Sequence, residues 1–245
     1  MPLTCVVVDY SKGNLRSVQK GLELAGAHAL ISADAAAIRS ADALVLPGVG
    51  SFADASEVML ATGQMQALSE RLDAGVPFLG ICLGMQLLFE YGNEGMPEGS
   101  WAEGLGILSG RCTRIASTDS RGAGYKVPHV GWNQVSYVAD VRDSTGTAPP
   151  AQTAYSHVHT GEVRQGTSPL FDGVAGGSHF YFTHSYGCEP AEPRDVVATV
   201  THARVMPAAV CKGRAYGVQF HPEKSSDAGL AVMKNFVRLA QTGHD

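Results

Sequence analysis

At 245 residues and 44% hydrophobic content, the chain has ample apolar material for a sizeable core and should fold without disulfide staples. A formal net charge of −5, with the 18 Lys and Arg unclustered, supplies no basic field to gather nucleic acid or an anionic membrane. A small molecule or another protein is therefore the expected partner. The opening MPLTCVVVDY lacks the basic and long apolar regions of a secretory signal, and no uncharged apolar stretch is long enough to cross a bilayer, so a cytoplasmic setting is expected.

In chain order, LTCVVVDY (3–10) is a β-branched apolar run that predicts a strand. Gly13-Asn14 then predicts a turn, and Leu15, Val18 and Leu22 fall at helical spacing. HALIS (28–32), ALVLPG (43–48) and VPFLGIC (76–82) read as further strands buried on both faces, with helical stretches around 53–60 and 65–72. This alternation predicts an α/β fold, an open and mostly parallel sheet with helices on both faces around a flavodoxin-like core. Ligands of such sheets sit at the carboxyl ends of the strands, where Asp9, Gly48 and Cys82 fall.

The second half changes character. GILSGRCTRI (106–115), HFYFTHSYGC (179–188), VVATVTHA (196–203) and AAVCKGRAYGVQF (208–220) read as antiparallel additions, with a hairpin at Lys212-Gly213-Arg214. Ser225 or Ser226 is placed to cap a final amphipathic helix carrying Leu230, Met233, Phe236, Val237 and Ala240. The whole chain, 1–245, reads as a single domain with a polar surface excursion at about 138–168, a stretch with few large apolar residues. His157 and His159 inside it have no thiol or carboxylate beside them to complete a metal site. Five cysteines, odd in number and without a CxxC pair, argue against a disulfide framework and a structural zinc, and neither metal nor cofactor is expected.

The stretch PFLGICLGMQLLF (77–89) sets Cys82 between Gly80 and Gly84 where a strand turns into good helix formers. A strand ending in G-x-C-x-G is a nucleophile-elbow pattern, in which the glycines permit a tight turn that lifts the thiol clear of the sheet. A helix beginning near Leu83 would aim its free N–H groups and positive end at the sulfur, favouring thiolate. The Leu83 N–H would also point at an oxyanion formed by attack on a carbonyl. Cys5, Cys112, Cys188 and Cys211 lie in strand-like apolar settings and read as core thiols.

A nucleophilic cysteine needs a base and a group that orients it, and YGVQFHPEKS offers His221 and Glu223 on one side of an extended segment. Pro222 restricts the His221 backbone to the extended region. His129 and His184 compete as bases, though neither has an acid two residues away. LPGVGSF (46–52) places Gly48 and Gly50 around Val49 at a strand end, so an amide of Val49 or Gly50 is the expected second oxyanion donor.

Taken together, GICLGMQLLF, FHPE and PGVGSF resemble the triad-type, class I glutamine amidotransferases. VVDYSKGNLRSV, VPHVGWN and YFTHSY narrow the resemblance to the glutaminase subunit of imidazole glycerol phosphate synthase, and it covers nearly the whole chain. Two departures are Ser11, where a glycine is usual, and the length of the excursion before His179. The resemblance implies that Cys82, His221 and Glu223 are nucleophile, base and orienter in glutamine hydrolysis. It implies that glutamine is held near Gly50 and Gln86 and by the backbone of His184, Ser185 and Tyr186. It implies a heterodimer with a cyclase subunit, which receives the ammonia and forms imidazole glycerol phosphate and aminoimidazole carboxamide ribotide in histidine biosynthesis. Trp132, Asn133 and Lys224 are then expected at that interface. Alternatives are a glutaminase subunit for anthranilate or vitamin B6 synthesis, a free-standing hydrolase of γ-glutamyl substrates, and a catalytically silent docking subunit.

Overall fold

The β-branched run near the start forms β1 (Thr4–Val8), and Leu15–Leu24 forms helix α1, burying Val18 and Leu22. These come from a computed structural model that describes residues 3–138 and 168–242. The expected polar excursion, with His157 and His159, lies outside the described residues apart from its ends, Val138 and Ser168. After α1 come β2 (His28–Ser32), α2 (Ala35–Ser40), β3 (Ala43–Gly48), α3 (Phe52–Ala61), α4 (Gln64–Asp73) and β4 (Phe78–Cys82). The next elements are a single turn α5 (Leu83–Gln86), β5 (Phe89–Gly92), β6 (Ala102–Glu103), β7 (Leu108–Arg114), β8 (His129–Gln134) and β9 (Ser136–Tyr137). The chain continues through β10 (His179–His184), β11 (Tyr186–Pro190), β12 (Val196–His202), β13 (Arg204–Lys212) and β14 (Ala215–Val218) to α6 (Ser226–Gln241).

The main sheet runs β2-β1-β3-β4-β14-β13-β12-β9. β2, β1, β3, β4 and β14 are mutually parallel, and β13, β12 and β9 extend them antiparallel. Alternate residues of the parallel strands serve two cores. Cys5, Val7, Val45, Leu79 and Ile81 face α1 and α6, whereas Val6, Val8, Leu44, Leu46 and Phe78 face α2, α3 and α4. Burial of both faces explains why β1, β3, β4 and β14 read as continuous apolar runs, whereas β2, expected to be buried on both faces, is the edge strand and leaves His28 and Leu30 exposed. The α/β architecture with helices on both faces agrees with the sequence expectation.

Several local expectations need correction. HFYFTHSYGC is not one strand: it divides at Ser185, β10 pairing with β8 and β11 with β7 in separate small sheets. The helix after Cys82 is only one turn, because Phe89 and Tyr91, which favour a pleated surface, carry the chain into pairing with β7. Its dipole is correspondingly small, and what it offers the sulfur is local N–H groups. Ser225 occupies the N-cap of α6 without capping it; its hydroxyl donates to the His221 carbonyl at 2.6 Å and accepts from the Tyr181 N–H at 3.0 Å. Cys5, Cys112 and Cys188 are core thiols, but Cys211 is only partly buried. Among the described residues, no helix is long and apolar enough to cross a membrane.

Candidate active site

Cys82 ends β4 with φ 54° and ψ −107°, a conformation that costs a residue with a side chain about 1–3 kcal/mol. The turn is tight because backbone packs on backbone around it. A Cβ on Gly84 would lie 1.8 Å from the Leu46 carbonyl oxygen, and one on Gly80 would lie 2.4 Å from that of Gly84. Only glycine fits at either place. In the sheet register Gly48 of β3 stands beside Cys82, so the PGVG stretch leaves the sheet next to the thiol. The sulfur has two further neighbours: the Thr183 carbonyl on β10 accepts from it at 3.9 Å, and the Gln219 amide donates to it at 3.5 Å.

β14 lies beside β4 and delivers His221 to the same end of the sheet. The His221 backbone is extended, as Pro222 requires, and its N–H donates to the Tyr181 carbonyl at 2.9 Å. Residues Pro222–Lys224 then form a 3₁₀ turn, so the extended run stops at His221 and the turn brings Glu223 back toward it. His221 Nδ1 lies 3.0 Å from Glu223 Oε1, with the side chains only 5% and 1% exposed. A carboxylate accepts, so Nδ1 carries the hydrogen and Nε2 is the nitrogen left to act. Nε2 is buried and makes no fully formed hydrogen bond, with the Cys82 thiol the interacting group beside it.

Burial alone would lower the pKa of His221. The hydrogen bonds and negative charge of Cys82 and Glu223 outweigh it and raise the pKa to about 9. The imidazolium therefore predominates at neutral pH. His184 behaves oppositely: burial, with neighbouring histidines adding to it, lowers its pKa to about 3 despite the Tyr186 carbonyl. Both its nitrogens are engaged, Nδ1 with the Tyr186 carbonyl at 2.8 Å and Nε2 with His129 Nδ1 at 3.1 Å. Neither His184 nor His129 presents a free nitrogen for proton transfer at Cys82.

The other expected site residues are distributed as follows. Leu83 opens the single turn, so its N–H has no partner within that turn. Val49 and Gly50 are exposed; the Val49 carbonyl accepts from Tyr10 Oη at 3.3 Å, and Gly50 sits at φ +99°. Because the peptide is trans, the Gly50 N–H points away from Tyr10. Gln86 is buried and donates to the Tyr186 carbonyl at 3.0 Å, bringing it beside the Ser185-Tyr186 corner between β10 and β11. Trp132 and Lys224 gather around the Tyr181 ring, at 6.0 Å between ring centroids and 5.7 Å from Nζ to centroid. Asn133 does not join them. Strand alternation turns its side chain away from Trp132, and Oδ1 lies 2.8 Å from His129 Nε2.

Sequence reasoning missed Gln219, which is fully buried and touches the sulfur. The signal was present, since it is an uncharged polar residue in the apolar run that leads from β14 to His221, two residues before that histidine. It also missed Tyr10, buried between β1 and the Val49 carbonyl.

The family model for glutamine amidotransferase class-I matches residues 6–240, and the chain belongs to this family. Solved structures similar at the level of the fold include "Structure of PurLQS from Thermotoga maritima", with TM-score 0.67, 17% identity, and 98% of this chain and 99% of that chain covered. Another, "Crystal structure of glutamine amidotransferase", has TM-score 0.66 and 18% identity over 97% of this chain and 98% of that chain. Much closer in sequence are imidazole glycerol phosphate synthase subunits HisH. That of Synechococcus elongatus is 40% identical over 94% of this chain and 91% of its own length, and that of Shouchella clausii 40% identical over 96% and 98%. Within the class I glutamine amidotransferases, the chain belongs with these HisH subunits of histidine biosynthesis. That membership sets aside the anthranilate and vitamin B6 alternatives.

Proposed function

We propose that this chain hydrolyses glutamine at Cys82 and delivers the ammonia to a cyclase subunit in a heterodimer. The thiolate of Cys82 attacks the side-chain carboxamide carbon, and the negative charge moves to the amide oxygen. The Leu83 N–H receives that oxyanion together with an amide of Val49 or Gly50. As the intermediate collapses, His221 gives its proton to the departing nitrogen, leaving a γ-glutamyl thioester and ammonia. Neutral His221 then takes a proton from water, which attacks the thioester; the products are glutamate and the regenerated thiolate–imidazolium pair. Glu223 keeps Nδ1 protonated and the ring aimed throughout. Gln86 and Gly50, with the backbone of His184, Ser185 and Tyr186, would hold the amino acid.

The observation that carries this reading is the Cys82 sulfur, raised on a positive-φ turn beside a buried His221–Glu223 pair. Ammonia is lost to protonation and diffusion unless it is consumed nearby. The partner surface we propose is the Trp132–Tyr181–Lys224 cluster, whose Tyr181 stands two residues along β10 from the thiol's neighbour Thr183. The setting we propose is the cytoplasm. The test is to mix the chain with the cyclase subunit of an imidazole glycerol phosphate synthase and follow synthesis supported by glutamine or by ammonium salts. Cys82→Ala should abolish the first and spare the second. Glutamine-supported synthesis that survives Cys82→Ala would refute the proposal.

A further inference from the structure

Gln219 touches the reactive sulfur, and its amide orientation follows from its neighbours. Gln86 Nε2 lies 3.0 Å from the Tyr186 carbonyl, which can only accept, so the nitrogen end of the Gln86 amide must face that way. The same nitrogen donates to Gln219 Oε1 at 3.1 Å. With its oxygen taken, Gln219 must present Nε2 to Cys82 Sγ, 3.5 Å away. The side chain is fully buried, and its backbone N–H is tied to the Ala208 carbonyl at 2.9 Å. Held at both ends of its amide, it has little freedom to turn.

We infer that Gln219 is a positioning residue for the nucleophile: it holds the sulfur on the elbow and favours the thiolate through an N–H bond that the neutral thiol accepts only weakly. This inference rests on Cys82 being the nucleophile. A hydrogen bond to an ionised acceptor is roughly twice as strong as one between neutral groups, so the donor selects the charged form. The other groups facing the sulfur act alongside it. His221, after β14, favours thiolate as a cation, with Glu223 behind it; Tyr10, after β1, is close enough to feel the charge of Cys82. The Thr183 carbonyl from β10 accepts from the thiol and so favours the neutral form. Gln219 opposes that carbonyl from the other side.

The test measures iodoacetamide alkylation of Cys82 against pH in wild type, Gln219→Met and Gln219→Glu, with folding checked by circular dichroism. Losing a charge-assisted donor should raise the midpoint of the profile by about one pH unit and slow alkylation about tenfold on its acidic limb. The isosteric Gln219→Glu should raise it further, because a carboxylate would then face the thiolate, and it decides the matter if Gln219→Met is poorly folded. A wild-type midpoint in either folded variant would overturn the inference. A purely structural role would lower stability without moving the midpoint. Cys82→Ala serves as the separate control: loss of glutaminase activity there, with unmoved Gln219 profiles, defeats this inference alone, whereas retained activity defeats the assignment of Cys82 itself.

Discussion

Glu223→Gln separates the electrostatic part of the site from its shape. The substitution keeps the side-chain volume and leaves an amide oxygen able to accept from His221 Nδ1, but it removes a buried negative charge at 3.0 Å. A hydrogen bond to a charged group contributes about 1.5–3 kcal/mol, and each pK unit is about 1.4 kcal/mol, so the histidine should lose roughly one to two units. Starting from a pKa raised to about 9, it should then titrate at roughly 7–8 in the variant. The sign follows from the role of the imidazolium: above its pKa, His221 has no proton for the departing nitrogen. The basic limb of kcat/KM for glutamine should therefore move down by that amount, and turnover at pH 8.5 should fall by roughly three- to twenty-five-fold. Stability should follow. A histidine whose folded pKa is raised above about 6.5 contributes stability fully below that pH and loses it as pH climbs toward 9, so wild type should lose more stability than Glu223→Gln across this window. The assay is glutamate release with the cyclase partner from pH 6 to 10, alongside urea unfolding at both ends of the range. An unmoved basic limb in a folded variant would refute the reasoning.

Gly84→Ala should destabilise the fold by about 3 kcal/mol or more in urea titration, because the new methyl meets a backbone oxygen that cannot rotate away. Near-native stability would mean that the elbow is looser than described. Trp132 is 50% exposed on β8, and Trp132→Ala should weaken association with the cyclase subunit by about 2 kcal/mol, roughly thirtyfold in Kd, while stability of the isolated chain changes little. Unchanged calorimetric affinity would reduce Trp132 to a packing partner of Tyr181.

The inner part of the parallel sheet was legible because its strands bury both faces, leaving uninterrupted apolar runs such as Ala43–Gly48. The elbow was legible for a related reason: paired glycines beside Cys82 make no sense in a strand unless something must pass close by, and that something is the Leu46 carbonyl. Less was readable after Cys82, where Met85, Gln86 and Leu87 suit a helix but pairing with β7 takes the chain away after one turn. Tertiary pairing overrode local propensity there. The break at Ser185 was equally hidden, since β10 and β11 are alike in composition and differ only in which strand each pairs with. Gln219 escaped notice because its partners, Gln86 and Cys82, stand far away in sequence.

The most direct measurement is peptide mapping by mass spectrometry after treating the chain with a glutamine-like alkylating analogue in the presence of its cyclase partner. One adduct should form, on the Cys82 peptide, with glutamine protecting against it and ammonia-supported synthesis surviving it. An adduct on Cys5, Cys112, Cys188 or Cys211 instead, or inactivation with Cys82 unmodified, would contradict the account.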